Sequence, residues 1–384
     1  MKILFKPLLW FAALFLLFLW VVLLNPPSAY SQEPAYCFAV YPDYQYQSSG
    51  GDVNKLAAVP AWISANKATY CPNMLFSAST GDDVDTSNST QWATYVGSSS
   101  TGFFDPIQLL GLPFGSDIGN HDYESASPAS RVTTQFTSNL LTSSNGIQNE
   151  ATYGGAWGGA VQDPEVNYWM QIPNGSYTIG LLFLEFCPRT AALAWGAGII
   201  AAHPGFSDWW VFTHEAVTAA GALSTTGSSG TSGCQDNSVD GVNDSTIGGG
   251  DNIWAAIQSY PNVRGIFNGH FGGPPYAAHA TMTGTSGNDV LRAFVNHQYD
   301  AGGSGGGAQT CLTLYNITPG STTMGVQANT PCPNYNGTGS SAWLPSDNTA
   351  DAVNNYSTTL QLGSTPTNVI MQGIIMTQGT AVIQ

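Results

Sequence analysis

The sequence predicts an α/β fold, and two observations lead to this prediction. Short apolar runs rich in Val, Ile, Phe and Trp recur along the 384 residues, and segments with a helical pattern lie between several of them. Continuous apolar runs of this length are typical of buried strands rather than of amphipathic helices. Strands that alternate with helices favour an α/β core, and a chain of this length can bury a substantial one.

The predicted elements follow one another from the N-terminus to about residue 300. The runs predicted as strands are CFAVYPD (37–43), NMLFSASTGDD (73–83), LPFGSDIGNHD (112–122), TIGLLFLEF (178–186), WWVFTHE (209–215) and VRGIFNGH (263–270). The segments predicted as helices are 53–66, 105–110 and 251–260. Most strand runs end in Asp, Asn or His, so polar side chains are expected at one edge of the sheet.

Stretches rich in Gly, Ser and Thr divide the rest of the chain. Two of them, 142–163 and 221–250, are expected to be surface insertions into a core domain that spans 32–309. Residues 310–384 are polar, β-branched and rich in turn residues, so they are predicted to form a β-rich C-terminal extension. This extension either closes the core sheet or forms a small separate β unit.

The N-terminus has the pattern of an export signal. Lys2 and Lys6 precede an apolar run at 8–24, and small residues follow before Gln32. We interpret residues 1–31 as a signal peptide, and an uncleaved membrane anchor is the alternative. Either interpretation predicts a secreted, periplasmic or otherwise extracellular protein.

The six cysteines fit such a compartment, because an even count in an exported chain suggests disulfide bonds. Three bridges are expected, although the sequence does not decide among their possible pairings. We favour Cys37 with Cys71, since each stands near the start of a strand run, and Cys311 with Cys332.

The charge balance excludes some classes of partner. The chain has 8 Lys and Arg against 24 Asp and Glu, and its formal net charge is −16. An acidic surface repels nucleic acids and anionic lipids, so neither nucleic acid nor a membrane, apart from an N-terminal anchor, is expected as a partner. A phosphate-bearing substrate would need a local source of positive charge, which the few basic residues hardly provide.

Polar groups with metal-ligating chemistry come directly after five of the predicted strands. These groups are Asp43 with Gln45, Asp82 with Asp83, Asn120 with His121 and Asp122, His214, and His270. Taken singly, GDD and PDYQ are turn sequences more often than ligands. Because the carboxyl ends of strands in an open α/β sheet form ligand sites, the five groups together predict one common metal site.

In this order, the motifs PDYQ (42–45), GDD (81–83), GNHD (119–122), THE (213–215) and NGH (268–270) resemble the calcineurin-like metallophosphoesterase superfamily. The likeness is to its exported bacterial branch, whose first motif is Asp-x-Gln where most of the superfamily has Asp-x-His. It covers roughly residues 37 to 300, and GNHD preceded by GD is its most specific part. The resemblance implies a layered β-sandwich flanked by helices, which binds two divalent ions (Mn, Fe or Zn). It also implies hydrolysis of a small phosphate mono- or diester by a metal-bridged hydroxide.

The resemblance further implies a role for each motif residue. The implied metal ligands are Asp43, Gln45, Asp82, Asn120, His214 and His270, and the implied catalytic pair is His121 with Asp122. Asp82 would bridge the two ions, which a shared carboxylate holds about 3.5 to 4 Å apart. Asp43 and the neutral amide oxygen of Gln45 would complete the first site, and the remaining three ligands the second. Asp122 would orient His121 to stabilise the transition state or to protonate the leaving oxygen.

The last motif departs from the family pattern. The family has Gly-His-x-His, whose second histidine binds the first metal ion, but GHFGG puts Gly272 at that position. The candidates to fill the gap are His279, His297 and water, although both histidines also fit ordinary structural roles. The departure leaves an alternative function open: a non-catalytic extracellular structural or adhesive protein that retains a degenerate metallophosphoesterase fold.

Overall fold

The computed structural model describes residues 32–50, 53–124, 131–159, 163–225, 249–271, 277–298, 310–332 and 355–362. The fold is mixed α/β, with two large mixed sheets and few helices, and the predicted class is confirmed at this level. The expected signal segment 1–31 lies outside the described residues, as do 226–248 of the second expected insertion and Gly272.

The strands of the described ranges, in chain order, are β1 (Tyr36–Tyr41), β2 (Met74–Ser79), β3 (Phe114–Ser116), β4 (Tyr153–Ala156), β5 (Tyr168–Asn174), β6 (Tyr177–Phe183), β7 (Asp208–Phe212), β8 (Val263–Asn268), β9 (Ala277–Thr283), β10 (Asp289–Val295), β11 (Thr313–Pro319), β12 (Thr323–Asn329) and β13 (Tyr356–Gln361). The helices are α1 (Gln45–Ser49), α2 (Val53–Tyr70), α3 (Ser89–Val96), α4 (Phe104–Gln108), α5 (Thr134–Phe136), α6 (Thr190–Ala202) and α7 (Gly250–Ile257). All six predicted strands and all three predicted helices are present.

Local sequence accounts for where the helices begin and which side they bury. In α2, Leu56, Val59 and Ile63 recur at helical spacing and are all buried, so one face of the helix packs on the core. At the start of α3, the Asn88 side chain accepts hydrogen bonds from the backbone amides of Thr90 and Gln91. Such an N-cap satisfies amides that have no partner within the helix.

The first sheet has the strand order β13-β12-β11-β1-β2-β3. Strands β1, β2 and β3 are parallel to one another. On the other side of β1, strands β11, β12 and β13 are added in antiparallel pairing. The described C-terminal strands therefore extend the core sheet, which is the first of the two alternatives that the sequence leaves open.

The second sheet has the strand order β4-β5-β6-β7-β8-β10-β9. Strands β6, β7, β8 and β10 are parallel, and antiparallel strands flank them on both sides. The edge strand β4 falls within the stretch 142–163, which therefore contributes to the sheet as well as to the surface. Gly154 permits this pairing, because a Cβ there would meet the indole ring of Trp169 on β5.

Alternate residues of the second sheet bury opposite faces, as the two-residue period of a strand requires. Trp209 and Val211 of β7 pack in a cluster with apolar residues of α6 and α7. Trp210 and Phe212 point the other way, and the ring of Trp210 lies 5.2 Å from that of Phe38 on β1. An aromatic core thus joins the two sheets, and helices cover the opposite face of the second sheet.

Two disulfide bonds, Cys37–Cys71 and Cys311–Cys332, are present, which confirms both favoured pairs. The third expected bridge would involve Cys234, which lies outside the described residues. Two disulfides suggest an extracellular or otherwise oxidising environment. Within the ranges described, no helix is both long enough and apolar enough to cross a membrane.

Candidate metal centre

The candidate centre lies where the carboxyl ends of parallel strands from both sheets meet. The residues that follow these strands and contact one another there are Asp43 (β1), Asp82 (β2), Asn120 (β3), Phe186 (β6), His214 (β7) and His270 (β8). Gln298, which follows β10, contacts Gln45, which follows β1. Ligand sites commonly form at this edge because parallel strands all end on the same side. The topology therefore brings together side chains that lie up to 253 positions apart in the sequence.

Three buried side chains form the middle of the centre. Asp43, Asp82 and His214 each offer one ligand atom, and these atoms all lie within 4.8 Å of one another. His214 Nε2 is 3.2 Å from Asp82 Oδ2 and 3.8 Å from Asp43 Oδ1. Two carboxylates and an imidazole at such distances are a suitable donor set for a divalent ion of the Mn, Fe or Zn kind.

Asn120 joins a second set of ligand atoms to this group. Its Oδ1 lies 3.2 Å from His214 Nε2 and 3.0 Å from His270 Nδ1. Ligand atoms that bind one ion at about 2.0 to 2.2 Å lie about 3.0 to 3.4 Å apart. The spacing of these atoms therefore matches that of ligands around a common ion.

The hydrogen bonds of His214 show which of its ring nitrogens is available to a cation. Its Nδ1 lies 2.6 Å from the carbonyl oxygen of Thr80, and a carbonyl can only accept, so Nδ1 carries a proton. Nε2 then faces the amide oxygen of Asn120 and a carboxylate oxygen of Asp82. Neither oxygen carries a proton, so both can only accept a hydrogen bond. These contacts require either a second proton on His214 or a cation. Burial acts to lower the pKa of His214, but Asp82 and Asp43 outweigh it and raise that pKa well above its ordinary value.

The two buried carboxylates of the centre, Asp43 and Asp82, have little positive charge near them to balance their own. Asp43 is buried, its Oδ2 has no hydrogen-bond donor among the described residues, and burial raises its pKa well above the usual range. For Asp82, burial acts in the same direction, but His214 and His121 prevail and lower the pKa to about 2. A buried charge is costly unless it is paired or bound to a metal. The donor set thus fits divalent cations, whose binding would replace the proton on His214.

Gln45 also fits the role that the resemblance implies. It opens α1, is 2% exposed and donates its Nε2 hydrogen to Gln298 Oε1 at 2.7 Å. Its Oε1 is buried and accepts no hydrogen bond from the part of the chain that the structure describes. A buried amide oxygen without a donor is suited to a hard or borderline cation.

The pairing expected between His121 and Asp122 is wrong. The carboxylate of Asp122 accepts hydrogen bonds from the backbone amides of Asp82 (2.8 Å), Gly119 (2.8 Å) and Val84 (3.1 Å). His121 Nδ1 instead lies 2.7 Å from the carbonyl oxygen of Asp85. Asp122 therefore holds together the loops that carry Asp82 and Asn120.

Backbone conformation at the centre is unusual in two places. Asp82 has φ 53° and His270 has φ 75°, in the left-handed region that residues other than glycine seldom adopt. Such conformations cost on the order of 1–3 kcal/mol and often occur at functional sites. Two glycines allow the close approach of these loops, because a Cβ at Gly119 would meet Asp82, and a Cβ at Gly269 would meet the carboxylate of Asp43.

Several supporting residues were not predicted as site residues. The ring of Phe186 lies 5.2 Å from the His270 ring and 5.7 Å from the His214 ring, so it forms an apolar wall of the centre. Glu215 Oε2 lies 3.5 Å from His270 Nε2, on the side of the ring away from Asn120. Carboxylates in this position orient metal-binding histidines. Both residues occur in strand runs, TIGLLFLEF and WWVFTHE, but neither residue type by itself indicates the contact.

The two histidines considered as replacements at Gly272 do not join the described metal-sized group. His279 lies in β9 at the edge of the second sheet, where its ring stacks 3.5 Å from that of Tyr356. Its ring is thus engaged by Tyr356 at the sheet edge, and its role as a replacement ligand stays a prediction. His297 follows β10 and is fully buried close to Gln298, but it is not among the side chains within mutual ligand distance.

The described contacts link five of the implied metal ligands (Asp43, Asp82, Asn120, His214 and His270) and both members of the implied catalytic pair, whereas the Gln45 side chain contacts Gln298. Asp83 differs from them, because it accepts hydrogen bonds from Ser79 and Ser116 and so links β2 to β3. No family model matches the chain, and no curated protein matches it. The functional conclusion therefore depends on the chemistry and geometry of this centre.

Proposed function

We propose that this protein is an exported, metal-dependent phosphoesterase of the calcineurin-like type, which hydrolyses small phosphate mono- or diesters. One observation supports the proposal most strongly. Ligand atoms of Asp43, Asp82 and His214, from three different strand ends, lie within 4.8 Å of one another. The layered β-sandwich of that superfamily is part of the proposal, and two mixed sheets that share an aromatic core are consistent with it.

The donors divide into two groups that share Asp82. Asp43, Asp82 and Gln45 would hold one divalent ion, and Asp82 would hold the other together with Asn120, His214 and His270. The ions (Mn, Fe or Zn) would supply positive charge and make water a nucleophile near neutral pH. Oxygen ligands would come from Asp43, Asp82, Gln45 and Asn120. Nitrogen ligands would come from His214 and His270.

His121 is the group best suited to handle a proton. Its side chain is 32% exposed, in contrast to the buried Asp43, Asp82 and His214, so it can meet a substrate. The carbonyl of Asp85 occupies Nδ1, which leaves Nε2 for the substrate. When the ring carries its second proton, Nε2 can give that proton to the leaving oxygen or donate a hydrogen bond to the phosphoryl group. Its backbone amide donates to Asp82 Oδ1 at 2.9 Å, which keeps His121 next to the proposed bridging carboxylate.

The substrate's negative charge would be met by the ions and by His121. Two arginines near Phe186 in the sequence or in space are already paired with a carboxylate. Arg189 Nη2 lies 2.6 Å and Arg131 Nη1 lies 3.4 Å from Glu185 Oε2. Phe186 adds an apolar surface on one side of the centre. A small ester with one phosphate group suits this balance better than a polyanion.

The test is an assay of the Mn²⁺-supplemented protein on aryl phosphate mono- and diesters. We expect turnover, and we expect Asp82→Ala to reduce it at least about 100-fold, because loss of metal-ion catalysis costs several kcal/mol. Asp289→Ala is the matched control, since Asp289 lies at the opposite end of β10. The absence of turnover in the wild-type protein, or equal turnover in the Asp82→Ala variant, contradicts the proposal.

A non-catalytic extracellular structural or adhesive protein is the second candidate. The observation in its favour is Gly272 in the last motif, together with the stacking of His279 on Tyr356 at the sheet edge. Metal analysis separates the candidates: close to two ions per chain favours the phosphoesterase, and no bound ion favours the structural role.

A further inference from the structure

The segment that follows β10 is part of the same strand-end edge. β10 pairs in parallel with β8, whose carboxyl end leads to His270. Asn296, His297 and Gln298 come next and are all buried. His297 is one of the candidates for the position of Gly272, and Gln298 contacts Gln45, an implied ligand of the first metal site.

Gln298 makes the direct connection. Its Oε1 accepts a hydrogen bond from Gln45 Nε2 at 2.7 Å, and both side chains are almost completely buried, at 4% and 2% exposure. The Gln298 backbone amide donates to Asn296 Oδ1 at 2.9 Å, which fixes the turn that carries Gln298. The contact between the two glutamines bridges the two sheets, because α1 follows β1 and Gln298 follows β10.

This contact engages the NH₂ end of the Gln45 amide and leaves the oxygen end available to a cation. A side-chain amide can bind a cation through its oxygen but not through its NH₂ group. In this contact the oxygen of Gln298 accepts a hydrogen bond from the NH₂ group of Gln45. The oxygen of Gln45 then remains, buried and without a hydrogen-bond donor among the described residues.

We propose that Gln298 is a positioning residue for the first metal site, where it holds Gln45 with its amide oxygen toward the ion. This inference rests on the proposed function, since it assumes that Gln45 is a metal ligand. The role is important because the first site lacks the second histidine of the family pattern, at Gly272. A site that lacks one imidazole depends more on each ligand that remains, so the orientation of the Gln45 oxygen has a larger effect on affinity.

The first experiment is an equilibrium titration with Mn²⁺, followed by the electron paramagnetic resonance signal of the free ion. In the wild-type protein we expect two bound ions. Gln298→Met, which has a similar volume but no acceptor, should weaken one of them about 10- to 100-fold and leave the other unchanged. Gln298→Glu keeps the acceptor and should bind both ions with close to wild-type affinity. Gln108→Met is the matched control, since it also removes an amide hydrogen bond, of 2.9 Å to Glu150, but near the amino end of β3.

A double-mutant cycle shows whether Gln298 acts through Gln45. Gln45→Met should weaken the same ion, and the double variant Gln45→Met with Gln298→Met should bind no more weakly than Gln45→Met alone. Additive losses would overturn the proposal. Thermal unfolding of the metal-free proteins checks that each variant folds, and Gln298→Asn, whose acceptor is one methylene too short, replaces Gln298→Met if that variant does not.

The outcomes distinguish this proposal from the one on which it rests. A wild-type protein that binds no Mn²⁺ overturns the proposed function and this inference together. A wild-type protein that binds two ions, with Gln298→Met or Gln298→Asn binding both as tightly, overturns this inference alone. Loss of affinity in Gln298→Glu equal to that in Gln298→Met also overturns it, because the acceptor would then be irrelevant.

Discussion

Asp122 is a residue whose chemical type alone leaves its role undecided. In the motif GNHD, a carboxylate next to His121 is naturally interpreted as its orienting partner. In the folded protein, both oxygens of Asp122 accept backbone amides from the two loops that carry Asp82 and Asn120. Asp122 therefore has a structural role, because three backbone amides occupy its carboxylate oxygens and His121 is not among its partners in the described ranges.

We predict that Asp122→Asn lowers the free energy of unfolding by about 1–3 kcal/mol, the usual cost of a buried donor left without its acceptor. An asparagine has one acceptor oxygen, so its NH₂ group would face the amide of Val84 or those of Asp82 and Gly119. Denaturant unfolding of the metal-free protein measures the change. Unchanged stability with lost turnover would instead mean that Asp122 acts on His121.

At the scale of elements, Glu150 connects helix α4 with strand β3 of the first sheet and with the start of β4 in the second sheet. Its carboxylate accepts hydrogen bonds from Gln108 of α4 (2.9 Å), from the backbone amide of Phe114 at the start of β3 (3.2 Å) and from Thr152 just before β4 (3.0 Å). Burial nevertheless raises the pKa of Glu150 above its ordinary value of 4.5, because these donors compensate only part of the lost solvation. This junction should therefore respond to pH.

The predicted direction follows from the raised pKa. Between pH 4.5 and the raised pKa, the folded chain keeps the proton of Glu150 while the unfolded chain has released it, so stability is lost as the pH rises. We expect the wild-type protein to lose stability relative to Glu150→Gln over this range, as measured by denaturant unfolding with a chelator present. The expectation is contradicted if the difference in unfolding free energy between the two proteins does not change with pH. It is also contradicted if that difference grows in favour of the wild type as the pH rises.

At the scale of the whole molecule, the centre draws its ligands from both sheets. Asp43, Asp82 and Asn120 follow strands of the first sheet, whereas His214 and His270 follow strands of the second. An ion bound among them would therefore connect the two layers at one end. Near the other end of β1, Tyr36 donates a hydrogen bond to Asp208 of β7 at 2.8 Å and makes a second connection.

We predict that removal of metal lowers the stability of the whole fold. A ligand at 1,000 times its dissociation constant stabilises the folded state by about 4 kcal/mol. Treatment with a chelator should therefore move the denaturant midpoint of the wild-type protein to lower concentration. Asp82→Ala should unfold at the same midpoint with metal and with chelator. An unchanged wild-type midpoint would mean that no ion binds preferentially to the folded chain.

Much of the fold can be predicted from the sequence because its signals are local. Apolar runs such as WWVF and helical spacing such as that of Leu56 with Val59 act within a few residues, and the predicted strands and helices appear where these patterns lie. The edge strand β4 is an exception. Its sequence, YGGA, carries no apolar run, and it becomes a strand because β5 offers it a hydrogen-bonding edge.

The sequence by itself determined the acidic, charge-poor character of the chain, the α/β class and the residue types at the strand ends, and it favoured two disulfides that the structure then showed. These depend on composition and on patterns within single segments. Only the tertiary structure decided which atoms meet: that Asp122 binds backbone amides, that His279 stacks on Tyr356 and that Gln298 faces Gln45. These are contacts between strand ends of two sheets, and such contacts depend on sheet order and register, which no single segment of sequence contains.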